Sequence, residues 1–115
     1  MTLNWFEIPV YHMDRAVKFY STIFNKPITA TESMGMPYAC LPDEVGGALA
    51  RTKQYLPSPN GTVVYLDCGY DLSPVLARVE KAGGRILMKK TFIGSGAMAL
   101  IMDSEGNRVG LQSRC

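Results

Sequence analysis

The sequence has few of the side chains that bind metals or form disulfides. It contains a single histidine, His12, and three cysteines that lie far apart, Cys40, Cys68 and Cys115. No two cysteines have the short spacing of a zinc knuckle, and their number is odd. Cys40 and Cys68 lie in apolar runs, which favours buried and unreactive thiols. This cysteine usage is typical of a reduced cytoplasmic protein.

Clusters of charge and long apolar runs are also missing. The 12 basic and 10 acidic residues give a net charge of +2, and no basic run reaches three residues. A nucleic-acid partner is therefore not expected. No apolar run approaches the ~20 residues of a membrane helix, and the N-terminal residues do not resemble a signal peptide. We expect a cytoplasmic protein without membrane contact, with residues 1–115 forming one domain.

The second half of the chain repeats the plan of the first half. Each half is predicted to contain a strand, a helix and three further strands. Residues 43–47 and 103–107 are Asp-containing turns at matching places, and Phe6 matches Val64 at an offset of 58 residues. The Pro- and Gly-rich residues 57–61 separate the halves. A solenoid would need about three copies of the repeat, so two copies predict a closed pseudo-twofold domain instead. Its modules are expected to span about 1–56 and 61–115.

Hydrophobic periodicity and turn residues predict the elements of both halves. In the first half, Asp14 is predicted to cap a helix that ends at Asn25 in a left-handed conformation. In the second half, Asp71 or Ser73 is predicted to cap a helix over 72–82. The predicted strands are 4–10, three short strands within 28–53, then 62–67, 85–90, 97–102 and 108–112.

Four segments of the chain carry a resemblance to a known superfamily. They are Phe-Glu-Ile-Pro-Val at 6–10, Met-Asp-Arg-Ala-Val-Lys-Phe-Tyr at 13–20, Ala-Gly-Gly at 82–84 and Asp-Ser-Glu-Gly-Asn at 103–107. These segments resemble the vicinal oxygen chelate superfamily, which includes glyoxalase I, bleomycin-resistance proteins, extradiol dioxygenases and fosfomycin-resistance enzymes. The resemblance covers essentially the whole chain. It implies an α+β fold of two βαβββ modules, whose curved and mostly antiparallel sheets surround a cavity, and a homodimer.

The same resemblance locates four positions at which catalytic members hold a divalent metal through His and Glu side chains. In this sequence the four positions hold Trp5, Ala48, Val63 and Gly110. None of these side chains can coordinate a metal ion. His12 precedes the first helix, where the superfamily has no ligand, and we interpret it as a solvated or capping residue. We therefore expect no metal and no other cofactor.

Strand alternation predicts which side chains face the cavity instead. Glu7 shares a face with Trp5, Gln112 shares a face with Gly110, and Tyr65 and Asp67 share a face with Val63. An aromatic wall with a few polar groups is typical of a small-molecule pocket. The predicted ligand-binding residues are Trp5, Glu7, Tyr65, Asp67 and Gln112. No catalytic residue is assigned.

Glu7 leaves three alternatives open, because a carboxylate in an apolar strand needs a partner. It is a general base, a contact for a ligand cation, or half of a buried pair with Arg51 or Arg108. Two turns are interpreted as structural features. Gly106 and Asn107 are expected to supply positive backbone angles in the 103–107 turn. The short loop 94–96 is expected to lie over the cavity without binding phosphate.

Three functions remain open at this stage. The favoured one is a metal-independent protein of the glyoxalase/bleomycin-resistance type that binds a small organic molecule, with a binding role favoured over catalysis. Bleomycin itself is not favoured, because it is cationic and the chain carries a net charge of +2. The alternative is a metal-dependent glyoxalase- or dioxygenase-like enzyme with the unusual ligands Glu7, Asp67 and Gln112. The third is an interaction module whose sheets only dimerise.

Overall fold

Two mixed four-stranded sheets and two helices build the molecule, in the computed structural model that describes residues 1–115. Sheet one has the strand order β1-β4-β3-β2 and sheet two has the order β5-β8-β7-β6. The β1–β4 and β5–β8 pairs are parallel and the other pairs are antiparallel. The elements are β1 (Phe6–Pro9), α1 (Met13–Phe24), β2 (Thr31–Ser33), β3 (Met36–Cys40), β4 (Gly47–Ala50), β5 (Tyr65–Asp67), α2 (Ser73–Val79), β6 (Arg85–Ile93), β7 (Gly96–Met102) and β8 (Arg108–Ser113).

This architecture confirms the predicted α+β fold of two βαβββ modules, which we call module one (β1 to β4) and module two (β5 to β8). All of the predicted strands are present, although β1 and β5 are shorter than predicted and β6 is longer. Neither helix has the length and apolar composition that crossing a bilayer would require.

Local sequence signals explain the turns of module one. Asn25 ends α1 with φ 56° and ψ 41°, the left-handed conformation that the sequence predicts. Met34 and Gly35 both have positive φ values, 54° and 77°, and they connect the paired residues Ser33 and Met36. Two central residues with positive φ form the turn type that best matches the twist of a two-residue hairpin.

One hydrophobic core joins the two modules. Helix α1 contributes Ala16, Phe19, Tyr20 and Ile23, and these pack in one cluster with strand residues of module two such as Ala99. Each sheet turns one face to this core, and the opposite face is called the open face below. Because neighbouring residues of a strand alternate in direction, Glu7, Ala48 and Tyr38 share the open face of sheet one, whereas Leu49 faces the core.

The N-terminus of α1 is held by the other module, which corrects the prediction that Asp14 is its cap. The N-cap residue is His12, which is exposed and forms no side-chain cap. Glu105 accepts hydrogen bonds from the backbone N–H groups of Tyr11 and His12, both at 2.8 Å. It also accepts two bonds from Arg15, at 2.7 and 3.0 Å. A carboxylate at this end of a helix also interacts favourably with the helix dipole.

The adjacent Asp103 fixes the β7–β8 turn to the core. It accepts the buried hydroxyl of Tyr20 at 2.6 Å and the backbone N–H groups of Glu105 and Asn107. Asn107 does not have the predicted positive φ, which only Gly106 adopts, at 94°. Its side chain donates instead to Asp103 and to the carbonyl of Pro9 in β1. We call Arg15, Tyr20, Asp103, Glu105 and Asn107 the inter-module cluster.

Three further predictions need correction. Helix α2 spans Ser73–Val79 and is shorter than predicted, and the residue before it, Leu72, provides no side-chain cap. Asp71, which was a predicted cap, accepts the N–H of Ser73 in the turn before the helix. Cys68 is half-buried, but Cys40 is exposed because it lies on the open face of sheet one. The loop 94–96 forms the tight end of the β6–β7 hairpin and does not line the cavity over sheet one.

Candidate functional site

A cavity of about 330 Å³ lies over the open face of sheet one. Its floor is built by β1, β3 and β4, and its outer wall by the segment that follows β4. Ala50 carries a small side chain in this floor, which leaves room above the sheet. The lining residues are Glu7, Ser33, Met34, Met36, Pro37, Tyr38, Ala50, Arg51, Thr52, Gln54 and Tyr55.

Glu7 is the centre of a hydrogen-bonded group inside this cavity. One carboxylate oxygen accepts the hydroxyl of Tyr38 at 2.8 Å, and the other accepts the hydroxyl of Tyr55. The Tyr38 hydroxyl in turn accepts the indole N–H of Trp5 at 2.9 Å. Trp5, Glu7, Tyr38 and Tyr55 therefore form one connected set, which we call the Glu7 cluster.

The Glu7 carboxylate differs from what the sequence suggests in burial and in partners. It is exposed to solvent, not buried in the core. No ion pair joins it to Arg51 or Arg108, and the three ion pairs of the molecule involve other carboxylates. Arg51 does line the same cavity, and Arg108 lines a smaller cavity of about 120 Å³ that Glu7 also reaches.

The phenol groups of the Glu7 cluster remain protonated over a wide pH range. The hydrogen bond to Glu7, followed by burial, raises the pKa of Tyr55 to about 12. Burial and the hydrogen bond to Glu7 raise the pKa of Tyr38, although the hydrogen bond that Trp5 donates to the same hydroxyl lowers it in part. Both hydroxyls therefore act as donors near neutral pH, and Glu7 is the acceptor.

The five residues predicted from the sequence are not all in this cavity. Glu7 lines it, and Trp5, which is 44% exposed, is joined to it through Tyr38. Tyr65 and Gln112 lie on the open face of sheet two, where both are exposed. Asp67 accepts the N–H of Gly69 and lines a separate cavity of about 350 Å³.

Sequence reasoning missed Tyr38 and Tyr55. Tyr38 could have been found, because it pairs with Ala50, two residues beyond the predicted cavity position Ala48. Tyr55 lies in the irregular segment after β4, where alternation gives no direction for a side chain. Its role depends on how that segment folds back over sheet one.

The four positions of the resemblance do not fit a metal ion. Ala48 is fully buried and Gly110 carries no side chain, and neither offers a donor. The ring of Tyr65 lies directly over Gly110, so that even a methyl group there would overlap it. No three His, Cys, Asp or Glu side chains lie close enough together to hold a metal. The cavity over sheet one instead combines a carboxylate, two phenols, the Arg51 guanidinium and uncharged polar and apolar side chains.

Comparison with known proteins agrees with the fold. A glyoxalase/bleomycin resistance protein from Albidiferax ferrireducens T118 has a TM-score of 0.72 at 16% identity, covering 98% of both chains. TnmS3, an antibiotic binding protein from Streptomyces sp. CB03234, has a TM-score of 0.68 at 18% identity, covering 100% of this chain and 97% of its own. No curated protein matches the sequence.

At these identities the solved structures establish the fold alone. The family model carries the assignment further, because it matches residues 2–111 of the 115. The chain belongs to the Glyoxalase/Bleomycin resistance protein/Dioxygenase superfamily.

Proposed function

We propose that this protein binds a small organic molecule on the open face of sheet one, without the help of a metal ion. The observation that carries the proposal is the cavity of about 330 Å³ with the Glu7 cluster on its wall. Ligand pockets of proteins begin at about this size and combine apolar walls with a few oriented polar groups. Met36 and Tyr38 supply apolar surface here, and Glu7 supplies the oriented group.

The donor chemistry of the open face supports metal independence. A metalloenzyme of this fold needs several nitrogen or carboxylate donors directed at one point. Glu7 and Asp67 line different cavities, and no three His, Cys, Asp or Glu side chains lie close enough together to hold a metal. Two of the former ligand positions, Ala48 and Gly110, are filled by groups that cannot coordinate.

The apolar open face of sheet two supports the further proposal of a homodimer. Tyr65 is 45% exposed there, next to Met98, Leu100 and Met102, which lie outside the core cluster. A second copy that covers this face would bury these side chains. The free cysteines support a reducing, cytoplasmic location.

The antibiotic-binding relative TnmS3 directs the choice of test ligands. Antibiotics and metabolites of low molecular weight would be titrated while the fluorescence of Trp5, the single tryptophan, and the melting temperature are recorded. We expect a saturable change that persists in EDTA, and protein that is purified without stoichiometric metal. Stoichiometric Ni, Zn, Mn or Fe, together with loss of binding in EDTA, would contradict metal independence.

Size-exclusion chromatography with light scattering tests the dimer separately. We expect a mass of twice 12.6 kDa. Replacing Tyr65 by a charged residue should shift the protein toward monomer, because a charge would then have to be buried in an apolar interface. A monomer at all concentrations would contradict the dimer without affecting the ligand-binding proposal.

A further inference from the structure

The Glu7 carboxylate is oriented as an acceptor but has no cation of its own. A carboxylate offers about four lone-pair positions, and the hydroxyls of Tyr38 and Tyr55 occupy two of them. These bonds hold the group in place in the cavity. The remaining acceptor positions have no protein partner, because no other side chain donates to Glu7 and no ion pair includes it.

Aromatic rings are the immediate neighbours of this carboxylate. The hydroxyl groups of Tyr38 and Tyr55 touch it, and the Trp5 indole is bonded to Tyr38. Because the phenol hydroxyl groups point at the carboxylate, the rings themselves supply apolar surface beside it. A fixed carboxylate beside such rings is more complementary to a positive group than to a neutral or negative one.

The cation that lines the same cavity, Arg51, forms no ion pair with Glu7. Arg51 lies three residues beyond Ala48, the residue that pairs with Glu7. Three residues of extended strand span roughly 10 Å. Met36, Pro37 and Tyr38 line the same cavity, which therefore combines the Glu7 carboxylate, apolar side chains and Arg51.

We propose that the ligand of this site carries a protonated amine that binds Glu7, joined to an apolar or aromatic body that lies along Met36 and Tyr38. This inference rests on the proposed function and specifies its ligand class. The ammonium group donates to the free acceptor positions of Glu7, while the hydroxyls of Tyr38 and Tyr55 hold the carboxylate in place.

Matched sets of ligands test the inference. Each set has one aryl-alkyl body that carries a primary amine, an alcohol or a carboxylic acid; 2-phenylethylamine, 2-phenylethanol and 3-phenylpropionic acid form the smallest set. Binding would be followed by Trp5 fluorescence and by NMR. We expect the amine to bind at least about tenfold more tightly than the alcohol, the size of one charge-assisted hydrogen bond, and the acid to bind most weakly.

Two variants separate the local contact from net charge. Glu7→Gln keeps the shape and an acceptor for the phenols, and it should bring the affinities for amine and alcohol to within about threefold while the alcohol still binds. Glu44→Gln removes the same charge from an exposed loop residue outside the cavity, and it should retain the preference. If Glu7→Gln does not fold, the salt dependence of amine binding to the wild-type protein is measured in place of the variant. The preference for the amine must shrink in high salt.

The outcomes distinguish the two proposals. Alcohol or acid that binds as tightly as amine, a preference unchanged in Glu7→Gln, or a preference independent of salt overturns the amine assignment and leaves ligand binding intact. An absence of saturable binding for every member of the sets and for the broader panel overturns both.

Discussion

The equivalent turns of the two modules are held in opposite ways. The β7–β8 turn of module two is buried, and Asp103, Glu105 and Asn107 connect it to α1 and β1 of module one. The β3–β4 turn of module one has Asp43 and Glu44 exposed at its tip, and the side chain of Asp43 forms an ion pair with the exposed Lys26. The sequences of these turns look alike, but only one of them joins the modules. A duplicated fold therefore does not require symmetric stabilisation.

The largest expected difference concerns the two turn aspartates. Asp103→Asn places an amide donor against Tyr20 and Asn107, which are themselves donors, so we expect a loss of about 2–4 kcal/mol in the free energy of unfolding. Asp43→Asn, the matched control, keeps a residue that tolerates the left-handed conformation at this position and should change stability by less than about 0.5 kcal/mol. The free energies of unfolding of both variants and of the wild type would be measured by urea denaturation. Equal losses would contradict the asymmetry.

A second pair of variants compares the glycines beneath the two aromatic rings. A methyl group at Gly47 would overlap the Phe6 ring, which packs against the core, and one at Gly110 would overlap the Tyr65 ring. Because Tyr65 is 45% exposed, its ring can turn away. We expect Gly47→Ala to cost about 1–3 kcal/mol and Gly110→Ala to cost less than about 1 kcal/mol. Thermal unfolding tests the order, and a larger cost at Gly110 would reverse the interpretation.

The third prediction concerns pH. Burial would raise the pKa of Glu105, but the bonds from Arg15, from the N–H groups of His12 and Tyr11 and from Ser104 lower it from 4.5 to about 2. The folded-state pKa is depressed, so the ionised Glu105 stabilises the fold above about pH 5, and this contribution is lost as the pH falls toward 2. We expect it to be roughly 1–2 kcal/mol, discounted because Arg15 is half exposed.

Unfolding of wild type and Glu105→Gln at pH 7 and pH 3 measures this contribution. The difference in stability between the two proteins should shrink at the lower pH. The exposed Glu44→Gln variant should match the wild type at both values. A difference for Glu105→Gln that does not change with pH would mean that the charge of this carboxylate is not what stabilises the junction.

The smallest effect is expected for the ion pair of the exposed turn. Lys26 and Asp43 are 52% and 62% exposed at their side chains, and exposed pairs contribute little. A double-mutant cycle with Lys26→Met and Asp43→Asn should give a coupling below about 0.5 kcal/mol, and less in high salt. A coupling comparable to that of the inter-module cluster would remove the contrast between the turns.

The fold could be predicted from the sequence because its signals are local. Periodicity, the left-handed Asn25 and the repeated plan each depend on residues close in the chain. The contacts of the site could not be predicted in this way. Tyr55 reaches Glu7 from 48 positions away through an irregular segment, and Tyr20 reaches Asp103 across 83 positions. Such pairings depend on how whole elements dock, and alternation within one strand does not specify them.

The contact between Glu105 and the start of α1 has a consequence for the synthesis of the chain. His12 leaves the ribosome 93 residues before Glu105, which is about 5–20 s at ordinary rates of translation. Throughout this interval the N-terminus of the first helix lacks the acceptor for its free N–H groups, and the apolar face of the helix lacks its packing partners in module two. Module one therefore lacks these stabilising contacts until the β7–β8 hairpin of module two has been synthesised.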